Sequence, residues 1–307
     1  MLWFHGGALQ SGSISQFDGS SLAANGDVIV VASQYRLGVF GFPGNVSGLP
    51  ADGLNPGFRD QKAALQWTQK NIASFGGDKT RVTIFGESAG AVSVDAQLLS
   101  EVHKPLFHAA ILQSGGLHTF NRVALGVGVY VTGLGTGNKP DEAPFTTLAR
   151  ALNCATGSTL TCVQSQTAAN IKSAVQSVNL LFPPVDDNGR SSVGDSDAAR
   201  RAGRTAKVPV LIGSTFQEGN ILPQSAITAR SLAQWAQLIY PGNTTLQNAI
   251  TRAYAVGTSW QIQSEADASK LLHSDFQFAC TTTYDSDMIS DLGIRTSAWA
   301  FLIFVFP

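Results

Sequence analysis

Short apolar runs recur along the chain, separated by segments with helical spacing. The run at residues 27–33 is nearly continuous and rich in β-branched residues, which is typical of strands buried on both faces of a parallel sheet. The runs cover residues 1–4, 27–33, 81–85, 109–113 and 208–212. A late aromatic run at residues 298–306 is also short and β-prone, and it predicts a further buried strand.

Helical patterns lie between these runs. Residues 58–73 predict a helix with one face formed by Ala63, Ala64, Trp67 and Ile72, and residues 89–99 predict a second helix. Strands that alternate with helices predict an α/β fold, with a mostly parallel central sheet and helices on both of its faces.

Two segments depart from this alternation. Residues 117–207 are rich in Gly, Ser, Thr and Ala, and residues 231–272 are helical and amphipathic. We interpret both as insertions or caps on a single partial domain that spans residues 1–307. Phe182 and Trp235 lie in these segments, and they are candidates for a substrate pocket or, more simply, for core packing.

Composition narrows the functional class. Of the 307 residues, 44% are hydrophobic and 13% are charged, which favours a large core over a disordered chain. The net charge is −1 and the basic residues are scattered, so bulk charge attracts neither nucleic acid nor an anionic membrane. No apolar run reaches the roughly 18 residues of a spanning helix. The opening residues have neither the basic region nor the apolar length of a signal peptide.

Three cysteines and two sequons bear on the compartment. Cys154 and Cys162 lie close together in a Ser/Thr-rich stretch and suggest a disulfide that closes a local loop, with two free thiols as the alternative. Cys280 then pairs outside this chain or is a buried thiol. Sequons at Asn45 and Asn243 also fit a secreted protein.

The candidate nucleophile is Ser88. It is the centre of a Gly-x-Ser-x-Gly motif, residues 86–90, between a buried strand and a helix of small residues. This strand–turn–helix is the nucleophile elbow, in which the serine lies on a strained turn at a helix N-terminus. Gly86 and Gly90 are expected because side chains there would clash.

A glycine loop after the first strand is the candidate oxyanion hole. Its sequence, residues 5–8, is His-Gly-Gly-Ala, a type of loop that donates backbone N–H groups to a developing oxyanion. We expect the donors to be the N–H groups of Gly7, Ala8 and Ala89. His5 and Glu87 are expected to support these groups rather than to react.

A serine nucleophile needs a general base, and the base needs an orienting carboxylate. The expected order along the chain is serine, acid, histidine. Glu218 follows the strand at residues 208–212 in a Gln-Glu-Gly sequence and is the candidate acid. No metal or cofactor is implied.

A set of motifs in fixed order closely resembles the type-B carboxylesterase and cholinesterase family, particularly its fungal esterases and lipases. They are HGGA at residues 5–8, QYRLGVFGF at 34–42, NPGFRDQ at 55–61, FGGD at 75–78, RVTIFGESAG at 81–90 and QSG at 113–115. The resemblance implies an α/β-hydrolase fold, ester hydrolysis through an acyl-enzyme, a small-molecule or lipid ester as substrate, and a secreted protein. It also implies the Cys154–Cys162 bridge and Glu218 as the acid.

The chain departs from the family pattern at both ends. The family begins before the glycine-loop strand, and its catalytic histidine follows a strand that residues 299–306 resemble. We therefore expect a chain shortened at both ends, without the triad histidine. None of its five histidines has the expected setting; these are His5, His103, His108, His118 and His273. The alternatives are a non-catalytic binding protein on the same fold and a poorly folded truncated product.

Overall fold

The computed structural model describes residues 1–100, 106–118, 143–154, 159–192, 195–221 and 230–301. For Ala51, Ile221 and residues 296–301 only the backbone is described. His103 lies outside the described residues, and so does the end of the last predicted strand.

A parallel sheet of six strands forms the centre of the described structure. The strands are β1 (Leu2–Phe4), β2 (Val31–Ser33), β3 (Thr83–Glu87), β4 (Ala109–Gln113), β5 (Val210–Thr215) and β6 (Thr296–Phe301). Their order is β2-β1-β3-β4-β5-β6, and every neighbouring pair is parallel. The predicted α/β class is confirmed. Parallel strands end at the same edge, so the loops after β1, β3, β4 and β5 share one edge of the sheet.

The helices connect and cover these strands. They are α1 (Ser20–Gly26), α2 (Gly38–Gly41), α3 (Pro56–Asn71), α4 (Ala89–Ser100), α5 (Pro144–Ala151), α6 (Thr159–Gln164), α7 (Ala168–Ser177), α8 (Ser196–Arg201), α9 (Leu232–Ile239), α10 (Thr244–Ala253), α11 (Glu265–His273) and α12 (Cys280–Asp291). Short 3₁₀ turns occupy Ile14–Gln16, Ala51–Gly53, Ile72–Phe75 and Glu218–Ile221, and a π-helical turn, Ser274–Ala279, joins α11 to α12. No helix in these ranges is long and apolar enough to cross a membrane.

Strand β2 is shorter than the run that predicted it. The run begins at residue 27, but Asp27 ends α1 in the left-handed conformation, with φ of 49°. Pairing with the sheet starts only where the Val31 N–H donates to the Met1 carbonyl, at 2.8 Å. The earlier residues of the run therefore form the connection between α1 and β2.

The buried face of α3 differs from the predicted one. Trp67 is 46% exposed and packs on Phe75 at the surface, with ring centroids 5.8 Å apart. The buried face carries Leu65 together with two polar side chains, Gln61 and Thr68. Their burial is tolerated because Gln61 donates to Ser93 Oγ and Thr68 donates to a carbonyl of its own helix. The predicted face is therefore right for Ile72, which is buried, and for Ala64, which packs on the apolar cluster against the sheet, but wrong for Trp67 and Ala63, which are exposed.

Three apolar clusters hold the elements together. One lies against the sheet and includes Phe4, Ile84 and Leu112. A second joins α4 to helices α5–α7, and a third lies within α9–α11. Phe182 belongs to the second cluster and Trp235 to the third, and both are essentially fully buried, which supports core packing.

The predicted local disulfide is confirmed. Cys154 and Cys162 are bonded, and the bridge links the residues just after α5 to α6. Cys280 is exposed at the start of α12, so the prediction of a buried thiol is wrong. Its position in the first turn of a surface helix explains the exposure.

A buried ion cluster ties α4, α8 and α12 together. Arg200 is fully buried and contacts carboxylate oxygens of Asp95 and Asp285, the latter at 3.0 Å. Burial alone would lower the pKa of Arg200, but the two carboxylates outweigh it and raise that pKa. Asp95 also accepts the Leu117 N–H, so the cluster anchors the segment after β4.

Candidate active site

Ser88 occupies a strained turn between β3 and α4. Its φ is +54°, in the left-handed region that a non-glycine residue enters at a cost of about 1–3 kcal/mol. Both adjoining peptide groups are held: the Ser88 N–H donates to the Gln113 carbonyl at 2.8 Å, and the Ser88 carbonyl accepts from Val92 N–H at 3.0 Å. The turn therefore presents the Ser88 side chain at the carboxyl edge of the sheet.

Gly86 and Gly90 leave no room for a side chain. A Cβ on Gly86 would lie 2.4 Å from the backbone of Gly90, and a Cβ on Gly90 would lie 2.0 Å from the Phe4 carbonyl oxygen. The strand–turn–helix can pack against β1 only because both positions are glycine.

The segment His5–Ser11, which we call the oxyanion loop, has an unusual backbone. Gly7, Ala8 and Leu9 have φ of 108°, 56° and 61°, three successive residues with positive φ. The loop lies beside Ser88, since a Cβ on Gly6 would be 3.3 Å from Ser88 Cβ.

Hydrogen bonds fix the carbonyl groups of this loop. The Tyr35 hydroxyl donates to the His5 carbonyl at 2.6 Å. His5 Nδ1 lies 2.8 Å from the Gly6 carbonyl. The N–H groups of Gln10 and Ser11 both donate to the Gly7 carbonyl at 3.0 Å. Because each peptide is planar, fixing a carbonyl also fixes the N–H group on the other side of the same peptide.

The opposite sides of these peptides carry donors without acceptors. The N–H groups of Gly7 and Ala8 form no hydrogen bond with any described residue. Ala89 is the first residue of α4, where N–H groups have no partner inside the helix. Such donors, preorganised beside a serine, can stabilise negative charge on a substrate oxygen.

His5 supports the loop. It is fully buried, and its ring stacks on Tyr35 with centroids 4.4 Å apart. A carbonyl oxygen only accepts, so Nδ1 carries the proton given to Gly6, and Nε2 faces the Gln34 amide at 3.5 Å. Burial lowers the pKa of His5, which favours this neutral form. Both ring nitrogens are thus engaged away from Ser88.

Two carboxylates share the edge of the sheet with Ser88. Glu218 opens the turn after β5, and its Oε1 accepts the Thr215 N–H at 2.7 Å. Glu87 precedes Ser88, and its pKa is raised by partial desolvation and by the negative charge of Glu218. The loops after β3 and β5 both lie at the carboxyl edge of the sheet, although β4 separates the two strands.

The remaining described histidines have other contacts. His118 Nδ1 lies 3.0 Å from Asp197 Oδ1, and His108 Nδ1 accepts the Val82 N–H. His273 packs edge-on against Trp235. Together with His5, none of these described histidines hydrogen-bonds Ser88.

One cluster has the residue types of a metal site. Single ligand atoms of His118, Asp197 and Asp285 all lie within 4.8 Å of one another. Asp285 already pairs with the buried Arg200 cation, and Asp197 with His118 and Tyr284. A cation so close to a metal would be repelled, so these ion pairs and hydrogen bonds account for the cluster.

Sequence reasoning missed Tyr35 and Gln10, which fix the oxyanion loop. Tyr35 lies in a recognised motif, but the motif does not say which carbonyl its hydroxyl meets. Gln10 lies two residues after the Gly-Gly-Ala sequence, and no local pattern distinguishes it from a surface glutamine.

Comparison with known proteins matches the chain to one family. A sequence model described as "Carboxylesterase family" matches residues 1–292. Similar proteins include carboxylesterase 5A of Homo sapiens, 54% identical over 123 residues, and cocaine esterase of Oryctolagus cuniculus, 56% identical over 114. Acylcarnitine hydrolase of Mus musculus is 55% identical over 115 residues. These alignments cover 37–38% of this chain and 20–21% of each relative, so the aligned part is about a fifth of their length. The family match extends over nearly the whole chain, and the chain therefore belongs to the carboxylesterase family and has its α/β-hydrolase fold.

Proposed function

We propose that this chain carries the nucleophile, the oxyanion donors and the acid of a serine carboxylesterase. The observation that carries the proposal is the strained Ser88 beside the N–H groups of Gly7 and Ala8, which have no acceptor among the described residues. Family membership and relatives named as esterases or hydrolases support the same chemistry.

In the proposed reaction, Ser88 Oγ attacks the carbonyl carbon of a small-molecule or lipid ester, and its proton passes to a histidine. The carbonyl oxygen becomes an oxyanion that accepts hydrogen bonds from the N–H groups of Gly7, Ala8 and Ala89. The ester C–O bond breaks, the alcohol leaves with the proton, and an acyl group stays on Ser88. Water then attacks the acyl-enzyme and releases the acid.

We propose that Glu218 orients this histidine, and that the histidine is none of the chain's own five, of which the structure describes four and leaves out His103. Each of these four has other contacts, and the family pattern puts the base after a later strand. Without a histidine that reaches Ser88, turnover is weak, because loss of a triad base costs several orders of magnitude in rate.

Chemical rescue tests both statements. Hydrolysis of p-nitrophenyl butyrate is measured with and without imidazole for the wild type, for Ser88→Ala and for the control Ser100→Ala at the far end of α4. We expect little turnover without imidazole, and with imidazole an added rate that Ser88→Ala lacks and Ser100→Ala retains.

Two outcomes contradict parts of the proposal. If the chain is folded by circular dichroism but shows no Ser88-dependent rate under either condition, the esterase proposal is wrong for this chain. A non-catalytic binding role on the same fold would then be favoured. If the chain turns over fully without imidazole, one of its own histidines is the base.

We also propose that the protein is secreted and glycosylated. The disulfide fits an oxidising compartment, and the sequon residues Asn45 and Asn243 are both exposed. A loss of mass on glycosidase treatment of the natural protein is expected, and an unchanged mass would contradict the glycosylation.

A further inference from the structure

A single side chain connects the oxyanion loop to the segment between β4 and β5. Gln10 Nε2 lies 3.0 Å from the Phe182 carbonyl oxygen and 3.4 Å from the Ala8 carbonyl oxygen. Gln10 Oε1 in turn accepts the Phe182 N–H at 3.4 Å. One amide therefore makes three hydrogen bonds, and two of them reach a residue 172 positions away.

The Gln10 side-chain amide pairs with the Phe182 backbone as a residue of a neighbouring strand would. Its carbonyl and one of its N–H groups pair with the N–H and carbonyl of the same residue, as a backbone would in a sheet. The second N–H of Nε2 is left for Ala8. Gln10 thus uses both of its donors, and it is partly buried where it does so.

Phe182 is a firm anchor for this contact. It is 1% exposed and belongs to the same apolar cluster as Leu9 and Ala89. Residues of helices α5–α7 complete that cluster, and the disulfide links the end of α5 to α6. The anchor is therefore part of the packed core and does not rely on a surface loop.

The Ala8 carbonyl completes the set of fixed peptides. The carbonyls of His5, Gly6 and Gly7 are held by Tyr35, by His5 and by two backbone N–H groups, and Gln10 holds the next one. The Leu9 carbonyl accepts the Gly38 N–H at 2.7 Å. Each carbonyl from residue 5 to residue 9 thus has a donor, and the Ala8 bond is the one supplied through the Phe182 anchor.

We propose that Gln10 is a positioning residue: its amide holds the Ala8–Leu9 peptide against Phe182, and through this peptide it fixes the neighbouring Gly7–Ala8 peptide, whose N–H is one of the donors beside Ser88. The positive φ angles of Ala8 and Leu9 make this contact necessary, since residues with a Cβ leave that region readily unless neighbours hold them. We call the hydrogen bonds from the Gln10 amide to Phe182 and Ala8 the clamp. Its effect on catalysis rests on the proposed esterase function, whereas the clamp itself does not.

The clamp is tested without catalysis by amide hydrogen exchange. Gln10→Met keeps the length of the side chain and removes its donors and acceptor. We expect faster exchange at the amides of Ser11 and Gly38, which donate to loop carbonyls, with unchanged exchange in α4. Gln247→Met is the matched control, since Gln247 is also partly buried and donates to a backbone carbonyl, that of Tyr240. Equal exchange in Gln10→Met and wild type would overturn the clamp.

The catalytic consequence is tested in the imidazole-supplemented assay. An oxyanion donor acts mainly in the transition state, so Gln10→Met should lower kcat by roughly 10- to 100-fold and leave KM nearly unchanged. Gln247→Met should match the wild type. A rise in KM alone, or unchanged kinetics in a Ser88-dependent wild type, would overturn the positioning role.

A carboxyl at position 10 gives a signature that a general loss of stability cannot produce. In Gln10→Glu the carboxylate faces the carbonyl oxygens of Ala8 and Phe182, and it regains one donor when protonated. The ratio of variant to wild-type kcat should therefore rise as pH falls, and a flat ratio would contradict the proposal. If the wild type has no Ser88-dependent turnover, the esterase proposal and the catalytic part of this inference fall together, while hydrogen exchange still decides the clamp.

Discussion

Protonation of His273 should destabilise the fold in mild acid. The side chain is 1% exposed, its ring lies edge-on to Trp235 at 4.5 Å, and neither ring nitrogen has a hydrogen-bond partner among the described residues. Burial lowers the pKa of His273 from 6.5 to about 4. A charge there would have no compensating partner, so the folded chain keeps the ring neutral.

The sign and size of the effect follow from linkage. Because the pKa of His273 is lower in the folded chain than in the unfolded chain, the unfolded chain binds the proton first. Stability is therefore complete above pH 6.5, falls as pH drops from 6.5 towards 4, and loses nothing more from this group below 4. At about 1.4 kcal/mol per pKa unit, the full loss is about 3 kcal/mol, and most of it is present at pH 4.5.

Urea unfolding at pH 7 and pH 4.5 measures this loss. Other groups titrate over the same interval, so the quantity to compare is the difference between wild type and His273→Phe, which keeps an aromatic ring against Trp235. We expect the acid-induced loss of stability to be smaller in His273→Phe by about 2–3 kcal/mol. His108→Gln is the control, since His108 is exposed and lies at a different edge of the fold.

An equal acid sensitivity in wild type and His273→Phe would refute the reasoning. So would an NMR titration of the His273 ring with a midpoint near 6.5 in the folded chain. Either result would mean that water or a rearranged polar group reaches the ring.

Two further predictions concern charged groups. Arg200→Met should lower the free energy of unfolding by about 3–5 kcal/mol, because it leaves two carboxylates buried without their cation. The control Arg201→Met should change the free energy little, since Arg201 is exposed. Equal urea midpoints for the two variants would contradict this prediction. Glu218→Gln should lower the pKa of Glu87 towards its ordinary value, because one cause of its elevation is the negative charge of Glu218. Carbon-13 NMR titration of the Glu87 carboxyl measures that shift, and an unchanged midpoint would contradict this influence of Glu218.

The sheet was readable from sequence because strands buried on both faces must be apolar throughout. The runs near β1, β3, β4 and β5 were found within a few residues of their observed bounds. The length of strand β2 was overestimated, since the sequence of a β-branched run does not reveal whether its backbone is hydrogen-bonded to a neighbouring strand. The α3 face was misjudged in part because Gln61 and Thr68 are buried with their donor groups hydrogen-bonded, which a hydrophobic pattern does not record.

The elbow was equally readable, and for a different reason. Gly86 and Gly90 are required by contacts within a few residues and with the adjacent strand, so the local sequence carries the constraint. A positive φ at Ser88 follows from the same geometry. Where short-range sterics decide the conformation, a five-residue motif is sufficient to predict it.

The hydrogen bonds that hold the oxyanion loop belong to a different class, because they join residues that are distant in sequence. Tyr35 lies 30 positions from the carbonyl it binds, and Gln10 lies 172 positions from Phe182. Many side chains can donate to a free carbonyl, so the chemistry of the acceptor does not select one residue type at a recognisable spacing. The proposed oxyanion donors lie in local motifs, whereas the contact that holds their loop through Gln10 comes from the apolar cluster that contains Phe182. Substitutions far from Ser88, in the cluster around Phe182, should therefore act on kcat through the geometry of the loop, and the sequence of the loop alone would not reveal them.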